Sequence, residues 1–301
     1  MPFDFGPRRM ILVAVEESEL EDARTHAEAV GGERIDPGAE GWLADDLAGA
    51  YAVEGGYVLD PMGATVATAE AGRRAGAEFR LGCESKRVIV SRGRVAGLAT
   101  DGGVIACERI VVATGPRLRF LLRTAGVDLP VAAVRGWLLE TGRVDPPPPF
   151  AIAQALWPTQ EEMGRMAGPP TLAETAAGAL EEPGLVSLLL GARPAGHCVI
   201  GTSLNRSVRE GAEQEETVRR IAARAVRVLP MLADVPVVSV WSGRRALSRD
   251  GRPVLGPVPG VDGLEVAGGF GSIGMVTIPA LCRRLAAGTA DPGFSPARLF
   301  V

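Results

Sequence analysis

The chain has 301 residues, enough to bury about three quarters of its unfolded surface as one large domain or two modest ones. Apolar residues make up 47% and charged residues 23%, and a formal net charge of -4 leaves no basic excess to attract a polyanion, so nucleic acid is not an expected partner. The 4 cysteines are dispersed, forming neither a C-x-x-C pair nor a zinc knuckle, and the 2 histidines, His26 and His197, are too few for a His-rich metal site or a charge-relay triad.

Free thiols in a reducing, cytoplasmic compartment are therefore expected, and no metal. The opening "MPFDFGPRRMILVAVEESE" lacks an apolar stretch followed by a small-residue cleavage site, so no secretory signal is read. The longest uncharged run, Val266 to Cys282, is broken by glycines and by Pro279 and falls short of the roughly 20 residues of a membrane helix.

In chain order, Met10 to Val15 reads as a strand, and Ser18-x-x-Glu21 as a capping box opening a helix to about Val30. The turn between them, "EESELE", presents carboxylates where a nucleotide fold needs bare N–H groups, so this opening unit is excluded as a phosphate site. Asp60 and Pro61 read as N-cap and first residue of a helix to about Ala75, with Gly76 just past its end. Glu78 to Leu81 reads as a strand. Two hairpins turning at 91–93 and 101–103 follow, then the strand "RIVVATG" (109–115).

Val131 to Thr141, Leu185 to Leu190, Cys198 to Ser203 and Val237 to Trp241 are expected strands of a second, mainly antiparallel sheet, with a helix from about Glu213 to Val228. The stretch from Asp145 to Pro183, with "PPPP" (146–149) and "GPP" (168–170), is read as a rigid connection or surface lobe. There is no internal repeat.

Near the end, "LEVAGG" (264–269) reads as a strand and "MVTIPALCRRLAAG" (275–288) as a helix, so Gly269-x-Gly271-x-x-Gly274 lies between a strand and a helix N-terminus. Unpaired N–H groups and the positive end of a helix dipole meet there, which suits an anionic or carbonyl-bearing ligand. A tight strand-to-helix turn with no ligand is the alternative. An NAD fingerprint is a further alternative, weakened because no acidic ribose-binding residue follows.

Read with what precedes it, the stretch "WSGRRALSRDGRPVLGPVPGVDGLEVAGGFGSIGMVTIPALCRRLAAG" (241–288) resembles the C-terminal signature of the D-amino-acid oxidase family of flavoenzymes: W-x-G-x-R, D-G-x-P-x-x-G, then a glycine loop opening a helix. Residues 56–84, "IVVATGP" (110–116) and "VRGWLLET" (134–141) match the same family in the same order. The resemblance implies an FAD enzyme that oxidises the C–N bond of an amino or imino acid by hydride transfer to the flavin. It implies cofactor contacts from Ala113, Thr114 and Gly115 and from Gly269, Phe270, Gly271, Ser272, Ile273, Gly274 and Met275, and a substrate carboxylate held by Arg245.

An arginine fork pairs a desolvated carboxylate bidentately, and Arg244 competes for the role. Strand alternation puts Arg245 on the face of Trp241 and Ser239 and Arg244 on the face of Ser242 and Val240, so Arg245 with Trp241 makes the more plausible pocket. Trp137, in place of a frequent glutamine, either narrows that pocket or packs in the sheet. No catalytic residue is expected, since the flavin carries the chemistry.

The implied fold is α+β or α/β: an FAD-binding, Rossmann-like domain (56–130 and 242–301) interleaved with a mainly antiparallel substrate domain (1–55 and 131–241). The first strand resembles one that lies well inside full members. The chain is thus expected to be short of roughly 80 to 100 N-terminal residues that carry their glycine fingerprint, leaving FAD affinity in this chain alone poor. Phe270 and Ile273 replace commonly polar residues, which makes the implied flavin face more apolar, and Ser85 stands where an apolar residue often contacts adenine.

The proline run and "VIGTSLNRSVREG" (199–211) are similar to flavin subunits of heteromeric dehydrogenases acting on hydroxyproline, opines or glycine. A second chain supplying the nucleotide-binding half or accepting electrons is an implied partner. A non-catalytic subunit acting as an assembly module is the alternative function.

Overall fold

The computed structural model describes residues 4–155, 159–166, 172–173, 185–205, 212–289 and 291–300. Its strands in chain order are β1 (Phe5–Pro7), β2 (Met10–Ala14), β3 (Glu33–Ile35), β4 (Gly49–Val53), β5 (Tyr57–Leu59), β6 (Ser85–Ser91), β7 (Arg94–Thr100), β8 (Gly103–Ala106), β9 (Ile110–Val112), β10 (Val131–Arg143), β11 (Ala151–Gln154), β12 (Leu185–Ala192), β13 (His197–Leu204), β14 (Val237–Ser248), β15 (Val254–Pro257) and β16 (Leu264–Gly268). The α-helices are α1 (Leu20–Ala29), α2 (Pro61–Arg74), α3 (Leu118–Arg123), α4 (Gln160–Arg165), α5 (Ala212–Val228) and α6 (Gly274–Ala286). The chain divides into two compact units: Met1–Ala77, Arg135–Trp157 and Glu174–Gly243 form the first, and Glu78–Val134, Pro158–Ala173 and Arg244–Val301 the second.

The first unit is built on an eight-stranded sheet in the order β14-β10-β13-β12-β11-β2-β4-β3. Pairing is antiparallel at β10–β13, β13–β12, β12–β11, β2–β4 and β4–β3, and parallel where β11 meets β2. One register row crosses six strands: Leu139, Ile200, Leu190, Ile152, Ile11 and Ala52. All six are buried and five join one core cluster with Ile221, Ala225 and Val228 of α5. Those helix positions repeat every three or four residues, so a single stripe of α5 covers the sheet. Each large aliphatic side chain so buried contributes about 1.5–3 kcal/mol. On the opposite face Ala23 and Ala27 of α1 pack with Tyr51 and Ala14.

The second unit carries two three-stranded sheets, β6-β7-β8 and β15-β16-β9. The β6–β7 hairpin turns through Arg92 and Gly93 at φ 52 and 76, the left-handed pair that a two-residue hairpin requires. β9 and β16 run parallel, and the buried Leu118, Leu121 and Leu122 of α3 join Val88, Val112, Val254 and Val266 in one core. A Cβ at Gly268 would stand 2.5 Å from Leu118 Cδ1, so a larger residue there has to displace that leucine methyl. Asp60 caps α2 by accepting from the amides of Met62 and Gly63, with Pro61 at the first position and Gly76 past the end, as the sequence suggests.

Three expectations are corrected. The Ser18/Glu21 capping box is not made: a 3-10 turn, Glu17–Glu19, precedes α1, neither start has a side-chain cap, and Glu21 pairs with Arg24 instead. Glu19 turns inward there and takes up the buried Val15 amide. Glu78 to Leu81 is not a strand. Gly76 and Gly82, both left-handed, flank it, and Leu81 is 91% exposed, so nothing apolar rewards pairing it. The proline-rich stretch is no mere connection, since it contributes β11, an interior strand, and α4, which has a full Thr159/Glu162 capping box. Its "GPP" and residues 206–211 of the dehydrogenase-like stretch lie outside the described residues. Among the described residues no helix is long and apolar enough to cross a membrane. All four cysteines are free, Cys198 buried and Cys282 exposed.

Candidate functional site

Within the second unit the parallel pair β9–β16 decides which segments meet. Val112 lies opposite Val266, so the residues leaving both strands, Ala113–Gly115 and Ala267–Gly269, emerge at the same end of one sheet. Ligands of open α/β sheets bind at such carboxyl ends, where the chain turns away and leaves backbone groups bare. Ala113 and Thr114 are exposed there, and Gly115 turns left-handed at φ 53 into a 3-10 turn ahead of α3.

The glycine turn after β16 is shaped by three local demands. Gly269 and Gly271 take φ 66 and 56, a region that costs side chains strain. Gly274 opens α6 under Phe270, where a Cβ comes within 3.3 Å of the Phe270 Cβ. Phe270 forms a bridge with Leu247 of β14, and the Gly271 amide donates to the Ala246 carbonyl at 3.0 Å. This bridge seats the turn against the strand at the residue next to Arg245. The amide of Ile273 donates to Phe270 O, and those of Val276 and Thr277 to Ile273 O.

The N-cap of α6, Ile273, offers no side-chain cap. The amides of Gly274 and Met275 therefore find no acceptor in the helix, and the positive end of its dipole is uncompensated. Gly269 is buried, Phe270, Gly271, Ile273 and Gly274 are half-buried, and Ser272 and Met275 are exposed. Arg245 is half-buried and Arg244 exposed, as strand alternation requires. Burial lowers the Arg245 guanidinium from its ordinary value. It stays cationic in neutral water, since an arginine has a wide margin to lose.

A brace behind the strand was not legible in sequence. Ser248 Oγ lies 2.9 Å from Asp250 Oδ1 and 2.5 Å from the Arg252 carbonyl, two acceptors that share its one proton, and Arg298 clamps Asp250 through two bonds of 2.7 and 3.1 Å. Burial alone raises the Asp250 carboxyl, but the hydrogen bonds from Arg298, Ser248 and the Arg252 amide outweigh it and hold the group below the carboxylate norm. The D-G-x-P motif pointed to Asp250, whereas Arg298 sits 48 residues away with no motif around it.

The structure thus brings Ala113, Thr114, Gly115, the turn from Gly269 to Met275 and Arg245 into one unit. Trp137 and Trp241 belong to the other. Trp241 is partly exposed on β14. Trp137 is 8% exposed, sits in the sheet's core, and carries the Arg135 guanidinium 5.8 Å over its ring. Among the described residues no group of three or more His, Cys, Asp or Glu could hold a metal ion.

A family model described as DAO, FAD dependent oxidoreductase, matches residues 1–287. Glycine oxidase of Pseudomonas putida is 30% identical over 202 residues, which are 67% of this chain and 47% of that one. The hydrogen cyanide synthase subunit HcnC of Pseudomonas protegens is 25% identical over 223 residues, 73% of this chain and 46% of that one. The chain thus spans a little under half the length of these curated relatives. The crystal structure of glycine oxidase from Geobacillus kaustophilus superimposes with a TM-score of 0.76 at 23% identity, covering 98% of this chain and 76% of that one.

Proposed function

The chain belongs to the DAO family of FAD-dependent oxidoreductases, and from that premise we propose that it serves the oxidation of the C–N bond of an amino or imino acid. FAD, when bound, supplies the acceptor for the hydride that leaves the substrate carbon. The donor set fits such a group: an uncapped helix N-terminus, half-buried glycine backbone and a nearby cation favour an electron-rich, flat, carbonyl-bearing ring. The observation that carries the reading is the shared exit of Ala113–Gly115 and Ala267–Gly269 from parallel strands.

In this proposal the segments Ala113–Gly115 and Gly269–Met275 hold the cofactor by backbone N–H groups, and Phe270 and Ile273 keep water from it. Arg245 grips the substrate carboxylate with its two-pronged fork, a pairing strengthened by the partial burial that lowers its pKa. Trp241 lies four residues earlier on the same strand. Trp137 acts at one remove, by fixing β10 through its place in the core. None of these groups transfers a proton. They position the substrate and exclude solvent, while the α-hydrogen leaves as hydride from the neutral amine.

A second chain that supplies further nucleotide-binding surface or accepts the electrons is part of the same proposal, supported by the likeness to HcnC, a named subunit. The free cysteines support a reducing compartment such as the cytoplasm.

The test is flavin retention and turnover. The chain, purified alone and after co-expression with a candidate glycine-fingerprint chain, is expected to carry yellow flavin in at least the second case. Arg245→Lys is then expected to lower kcat/KM by roughly 30- to 100-fold, mainly through KM, with flavin content unchanged. A colourless protein in both preparations, or an unaltered KM in Arg245→Lys, refutes the assignment.

A further inference from the structure

The eight-stranded sheet has two edges, and they are treated differently. At one end, β3 is three residues long and carries exposed Glu33 and Arg34, the short, charged edge by which proteins resist further pairing. At the other end lies β14, 12 residues long. From Val235 to Gly243 it has no charge and no proline except Pro236 before the strand. Val237, Val238 and Val240 are 50%, 57% and 37% exposed, and they lie on both faces of the strand. A long apolar edge of this kind is a template for another strand.

We propose that this edge pairs with the same edge of a second copy of the chain, in an antiparallel ladder whose two-fold axis passes at Ser239. The register is chosen by complementarity. About Ser239, Val237 falls opposite the partner's Trp241, an aromatic-to-β-branched pair of the kind that stabilises sheets, and Val238 falls opposite the partner's Val240. The first charges met in sequence on either side, Asp234 in the turn before the strand and Arg244 within it, have opposite sign, so the ends of the pair do not bring like charges together. A two-fold axis places every residue against its own surface, so a strand that carried one sign of charge could not pair this way. A cleft of about 390 Å³ lined by Gln214, Glu215 and Val218 of α5 and by Val240 opens beside the strand, room for the partner's Val238 next to Val240.

The test uses the full chain in a Cys282→Ser background, so that the exposed native thiol does not interfere. Light scattering after gel filtration is expected to give twice the 31.4 kDa of one chain. Ser239→Cys is expected to cross-link under mild oxidant, because residues at the centre of an antiparallel pair lie about 4.5–5.5 Å apart at Cα, within disulfide range. Val238→Lys and, separately, Val240→Lys are each expected to raise the dimer dissociation constant at least tenfold while circular dichroism stays that of the parent. A monomer at every concentration, a dimer indifferent to both lysine variants, polydisperse aggregation that neither lysine relieves, or a Ser239→Cys dimer that fails to cross-link overturns the proposal. It stands or falls without reference to flavin content.

Discussion

Removing the Glu19 side chain is expected to destabilise the first unit more than any surface ion pair does. Glu19 is 1% exposed and accepts from the Val15 amide at 2.8 Å, from Gln154 Nε2 at 2.8 Å to both oxygens, and from Arg224 at 3.1 Å. Glu19→Ala leaves two buried donors, the Val15 amide and the Gln154 amide group, without an acceptor. At about 1–3 kcal/mol each, the loss is about 2–6 kcal/mol. Glu19→Gln sharpens the argument. Its amide nitrogen faces the Gln154 nitrogen, and flipping Gln154 to repair that clash takes its Oε1 away from the Leu188 amide, which it now accepts at 3.1 Å. One buried polar group stays unsatisfied in either arrangement, at about 1–3 kcal/mol. Urea titration is expected to show Glu19→Ala more destabilised than Glu19→Gln, and both below the parent. Equal midpoints for Glu19→Ala and the parent refute the claim that this carboxylate ties α1, β2, β11 and β12 together.

Two further outcomes can be checked directly. Because the folded carboxyl of Asp250 lies below the unfolded carboxylate value of about 3.9, its contribution is present above that pH and is lost as acid is added through the folded value. Asp250→Asn is therefore expected to lower the urea midpoint at pH 6, with the gap to the parent closing below about pH 4. Burial pushes the Cys198 thiol up to about 11, while Cys282 is exposed, so iodoacetamide at pH 8 is expected to label Cys282 well before Cys198, as read by peptide mass. Fast labelling of Cys198 in the folded protein counts against the packing described here.

What could be read in sequence followed the strength of local signals. Asp60-Pro61 through Gly76 specified α2 because cap, first residue and stop lie within one segment. The strands β10, β12 and β13 were legible as apolar runs, and the hairpin at 92–93 from its glycine. β11 was not, because "AIAQ" is four residues long and follows prolines, and only its neighbours β2 and β12 make it a strand. Glu78 to Leu81 failed for the converse reason, alternating like a strand with no sheet edge to join. The Ser18/Glu21 box failed because the next residue, Glu19, turns inward to a buried amide at Val15, which puts a 3-10 turn ahead of α1, while Glu21 pairs with Arg24.

The candidate site divides along the same line. Gly269, Gly271 and Gly274 have the spacing of a nucleotide fingerprint, yet each is accounted for by a local requirement: two left-handed turns and a close approach to Phe270. Spacing alone therefore could not say which ligand the turn faces. The fold adds a neighbour to the turn, a strand carrying Arg245 whose Ala246 carbonyl takes the Gly271 amide. A bare glycine turn beside a half-buried guanidinium suits an anionic or carbonyl-bearing group, and in the proposed function that group is the flavin ring with the substrate carboxylate next to it. The pairing was visible in sequence only as two motifs 24 residues apart, and it becomes chemistry because Leu247 and Phe270 meet in one bridge.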